Sequence, residues 1–125
     1  RIDGADFSRA DLTDADFSPY EDRPGEGTIT PVPRNEMSGA DFTGAVMQRI
    51  NLSRAILRFV KLRDADLTDA SLREADLTQA DFTGANVTGV DFTGADLTRA
   101  DLSKAIGLDK AKGLERASSS GAVLR

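Results

Sequence analysis

The sequence predicts an all-β coil of square cross-section, and two observations carry that prediction. The phrase Ala-Asp-Leu/Phe-Ser/Thr-x recurs with a period of five, and opposite charges and like-sized apolar residues recur at a spacing of 20. Ala5-Asp6-Phe7-Ser8-Arg9 is followed by Ala10-Asp11-Leu12-Thr13-Asp14; the phrase resumes at Ala40-Asp41-Phe42-Thr43-Gly44 and runs to Ala100-Asp101-Leu102-Ser103-Lys104. Taking the large apolar residue as the centre of each unit, the centres are Ile2, Phe7, Leu12 and Phe17, then every fifth residue from Met37 to Leu102. A five-residue period excludes an amphipathic helix, because each repeat advances the apolar position by about 500° and smears it around the cylinder. It excludes a long plain strand too, since alternation has period two and inward and outward positions would swap at every unit. The chain therefore turns once per unit. The centre and the small residue two before it point inward; the Asp or Asn, the Ser or Thr and the variable residue stay outside.

If each unit turns about 90°, four units close a coil, and successive coils stack roughly 4.8 Å apart with hydrogen bonds running along the axis. Residues 20 apart then become neighbours. Arg49 is placed against Asp69, Arg54 against Glu74, and Lys61 between Asp41 and Asp81, while Phe7, Phe42, Leu62, Phe82 and Leu102 fall on one face once an early insertion is excised. Surface pairs of this kind contribute well under ~1 kcal/mol each and fix register more than stability.

An uninterrupted A(D/N)(L/F)(S/T)x series over Ile2 to Ser18 and Asn35 to Lys104 resembles the pentapeptide-repeat family. That resemblance implies a right-handed parallel quadrilateral β-helix, here of about four and a half coils. It says little about function, because the repeated residues are those that make the coil, and members range from gyrase-binding DNA mimics to lumenal and cytosolic proteins of unknown role. This chain departs from the pattern at Ile50, Val60 and Val90, where a small inward residue is usual, and at Val46, Ile56 and Lys61, where Asp or Asn is usual.

Two segments lack the repeat. Residues 19–34 hold all four prolines and the single tyrosine and read as a loop inserted at a corner of the 1–107 β-helix. From Leu108 to Ala117, apolar residues at spacings of three predict a short helical cap over the open end of the core, with a flexible Ser-rich tail completing a 108–125 segment. No cap is visible at the first coil, so end-to-end association is expected there. The chain opens at Arg1 in mid-pattern, which reads as a processed or trimmed form.

Composition narrows the chemistry. With 125 residues, no Cys and no His, the chain is one small domain without a thiolate or imidazole metal site, a disulfide, a Cys nucleophile or a His base. Sixteen Lys plus Arg against 21 Asp plus Glu give a net charge of −5 with the signs interspersed, so direct nucleic-acid binding is not expected. No apolar run approaches the roughly 20 residues of a membrane span. The chain is read as soluble, with bacterial cytoplasm and thylakoid lumen equally compatible. The Asp/Asn row is read as structural, bonding nearby backbone amides, rather than as a metal or acid–base site. The sequons at Asn51 and Asn86 are read as accidental. No catalytic residue, cofactor or metal is expected.

What remains is a surface between Val46 and Arg63, where Val46, Ile56 and Phe59 sit at outward positions among Arg49, Arg54, Arg58 and Arg63. Apolar groups ringed by arginine read as an interaction patch, with Tyr20, Arg54, Ile56, Arg58 and Phe59 as partner-binding residues. The expectation is a non-catalytic structural or protein-interaction module, an accessory subunit of a larger assembly. The alternative is a DNA mimic that binds a gyrase-like topoisomerase. It requires a continuous acidic face, and its best column, Glu36, Asp76 and Asp96, is interrupted at Ile56.

Overall fold

A computed structural model describes residues 2–19 and 34–124. The inserted segment expected at 19–34, Tyr20 included, lies outside the described residues except at its ends, Pro19 and Arg34.

The chain forms a four-sided coil whose walls are isolated parallel bridges, one per unit. Face 1 stacks Asp6, Asp41, Lys61, Asp81, Asp101 and Val123; face 2 stacks Asp11, Val46, Asp66, Asn86 and Ile106. Face 3 stacks Asp16, Asn51, Ser71, Asp91 and Lys112; face 4 stacks Glu36, Ile56, Asp76, Asp96 and Ser118. The spacing is 20 within the uninterrupted repeats and 35 across the insertion, as in Asp6 to Asp41. Fifteen extra residues thus leave the register intact.

Each corner is built locally. The small residue after every corner donates to the carbonyl of the preceding centre, as Ala45 N–H does to Phe42 at 3.0 Å. The third residue of each such turn through Arg99 has positive φ, as at Gly44 (67°), Arg54 (63°) and Phe59 (60°). This is the backbone pattern of a type II turn. The aspartate before each centre closes the other side of the unit. Asp41 Oδ1 accepts the Thr43 N–H at 2.9 Å and its hydroxyl at 2.6 Å, and the same clip recurs at Asp66, Asp76, Asp81, Asp91 and Asp96. The Asp-x-Thr in the phrase is therefore a device for satisfying an outward amide.

Inside, one apolar column runs from Met37 to Leu102, with every centre and every small residue buried. Residues on face 1 pack as expected: the rings of Phe7 and Phe42 stack with centroids 5.1 Å apart. The earlier centres Phe7, Leu12 and Phe17 are only partly buried and pack against this core from one end.

The expected helical cap is not formed. In its place Leu108–Lys110 and Leu114–Arg116 are single 3-10 turns, and the chain continues to coil through Ile106, Lys112, Ser118 and Val123, each bridged to the coil beneath. The spacing of three was the signature of units lengthened from five residues to six. Ala105, Ala111 and Ala117 extend the small inward column, and Gly107 and Gly113, both at φ 77°, enter the 3-10 turns in the left-handed region. The expected Ser-rich tail is also part of the ladder: Ser118 N–H donates to Ala95 at 2.9 Å and Val123 N–H to Ala100 at 2.9 Å.

Candidate interaction surface

The pattern-breaking residues obey a second rule. From Ala40 to Lys104, where the residue before the centre is not Asp or Asn, the residue after the centre is long and reaches the aspartate of the next coil. Val46 is followed by Gln48, which donates to Asp66 Oδ2 at 2.7 Å. Ile56 is followed by Arg58, bound to Asp76 Oδ2 at 2.6 Å. Lys61 is followed by Arg63, 3.2 Å from Asp81, and Ser71 by Arg73, 2.9 Å from Asp91. A local clip between neighbours in sequence is thus exchanged for a bond between coils. The expected partners at a spacing of 20 hold for Arg54, 3.8 Å from Glu74. Arg49 instead binds Asp14 at 2.6 Å, because the insertion brings that corner beneath it; the charge of Asp69 also favours its protonated form.

This arrangement divides the expected patch. Val46 and Ile56 are ten residues apart, half a coil, so they stand on faces 2 and 4, opposite walls with no shared neighbour. Arg54, Ile56, Arg58 and Phe59 remain together on face 4 and its two corners. Ile56 is half-buried between Glu36 and Asp76. Arg54 and Arg58 have their ion-pair partners within the chain, and the Arg54 carbonyl accepts Arg34 Nε. Burial would raise Asp76, but hydrogen bonds from Thr78 and Arg58 outweigh it and hold the carboxyl below the ordinary range. Phe59 is different. It is 57% exposed, it stands at a left-handed corner with φ 60°, and its ring has no aromatic partner among the described residues.

The insertion is anchored where it rejoins the coil. Arg34 spans two coils, donating to the Arg54 carbonyl at 2.5 Å and the Glu74 carbonyl at 2.7 Å, while Asn35 Nδ2 donates to the Phe17 carbonyl. Sequence reading missed Arg34, although its position 20 before Arg54 was visible. Among the described residues no group of acidic side chains is arranged to hold a metal, and no helix is long and apolar enough to cross a membrane. Each carboxylate column is broken: Lys61 on face 1, Val46 on face 2, Asn51 and Ser71 on face 3, Ile56 on face 4.

The sequence pattern described as pentapeptide repeats matches residues 1–18, 36–73 and 70–106 in eight copies. The chain belongs to the pentapeptide-repeat family. Its fold is accordingly the right-handed quadrilateral β-helix of that family. A pentapeptide-repeat protein of the Arabidopsis thaliana thylakoid lumen is similar at 34% identity and a TM-score of 0.66 over 72% of this chain; the chain spans 61% of that protein. The pentapeptide-repeat protein Rfr23 of the cyanobacterium Cyanothece 51142 is similar at 25% identity and a TM-score of 0.69, covering 98% of this chain and 90% of its own. QnrB1, a plasmid-mediated fluoroquinolone resistance protein, shares the fold at 17% identity and a TM-score of 0.56, over 97% of this chain and 79% of its own. No curated protein sequence matches the chain.

Proposed function

We propose that this pentapeptide-repeat chain is a non-catalytic protein-interaction module, an accessory part of a larger assembly that binds its partner through face 4. The observation that carries this reading is Phe59, an aromatic side chain held outward at a corner where the coil gains nothing from it. Ile56 supplies adjoining apolar surface, Arg54 and Arg58 its polar margin, and Tyr20 in the insertion an aromatic hydroxyl for the same contact. Arg34 supports this grouping, because it fixes the end of the insertion beside Arg54.

The test is affinity capture of partners by the intact chain, by a form in which Ser18 is joined directly to Arg34, and by that form carrying Phe59→Asp. Both altered proteins should fold, since the insertion carries no core centre, and the last should lose the partner. Retention of every co-purifying protein would move the binding surface elsewhere, first to the coil end around Ile2 and Phe7. The topoisomerase-binding alternative ranks lower because no carboxylate column is continuous. On this reading the purified chain leaves gyrase supercoiling unchanged at micromolar concentration; inhibition abolished by Asp76→Ala with Asp96→Ala would reverse the ranking.

A further inference from the structure

We draw no further inference here: the strongest candidate, the apolar face at the end of the first coil where Ile2 is exposed and Phe7, Leu12 and Phe17 are only partly buried, carries nothing because nothing in the structure shows what covers it.

Discussion

At the scale of single residues, the repeat is explained by what each outward side chain does for a backbone group. Asp76 is the one charged residue among the buried described residues, and it serves Thr78 with one oxygen and Arg58 with the other. Asp76→Ala should cost about 1–3 kcal/mol in chemical denaturation, because the Thr78 amide and hydroxyl lose their acceptor in a half-buried wall. Asp76→Asn should recover part of that loss. Corner glycines make a second residue-scale comparison. Gly84→Ala places a Cβ 2.2 Å from Asp64 Oδ1 at φ 73°, whereas Gly4→Ala meets nothing. Both substitutions carry the left-handed penalty of roughly 1–2 kcal/mol, so Gly84→Ala should lower the melting temperature more, and adding Asp64→Gly should return the difference. Equal losses would show that the covering carboxylate moves aside freely. The Asp-x-Thr clip was legible in the sequence because it is complete within one unit. Its exchange for a Gln or Arg reaching the next coil was legible only as a pairing of oddities two residues apart, which gains meaning once coils are stacked.

Elements here are coils, and their stability comes from a column of interlocked apolar centres. Leu72 is fully buried, so Leu72→Ala should cost about 2–5 kcal/mol by leaving a cavity. Thr68→Ala, at the half-buried outer wall, should cost under about 1 kcal/mol. Similar losses from both would mean that the inward face is misassigned. The last coil carries its own expectation. Because Ser118 and Val123 donate into the ladder, their amides should exchange with solvent far more slowly than those of a free tail. Fast exchange at both would restore the flexible-tail reading. The helix expected over Leu108 to Ala117 arose because units of six residues with apolar groups at half-period imitate a helical stripe. Gly107 and Gly113 decide the matter by turning the backbone left-handed before each 3-10 turn.

For the whole molecule, the recurring clip makes stability depend on pH in one direction. Hydrogen bonds from the following Ser or Thr hold Asp6, Asp11, Asp16, Asp41 and Asp101 below the ordinary carboxylate range. Asp66, Asp76 and Asp91 are held low against a burial effect that would raise them. Unfolding returns these carboxyls to an ordinary value of about 3.9, so the unfolded chain takes up protons first as the solution is acidified. Their contribution is complete above that value and is lost as pH falls through the lower folded values. The urea midpoint should stay nearly constant from about pH 7 to pH 5 and fall by about pH 3. A midpoint that rose in acid would show that the charges repel more than the clips stabilise.

The coil, its four faces, the inward column and the register across a fifteen-residue excursion are legible in the order of residues alone. The reason is that each described unit from Ile2 to Lys104 carries its own core residue, nearly all carry their own turn and most their own clip, so the same local physics recurs along the chain. Tertiary structure decided which oddities meet. It put Val46 and Ile56 on opposite walls, gave Arg49 to Asp14, tied Arg58 to Asp76 and left Phe59 outside. Those outcomes depend on what lies one coil above or below, and in a solenoid the neighbour along the axis is distant in sequence, so only the stacked chain selects it.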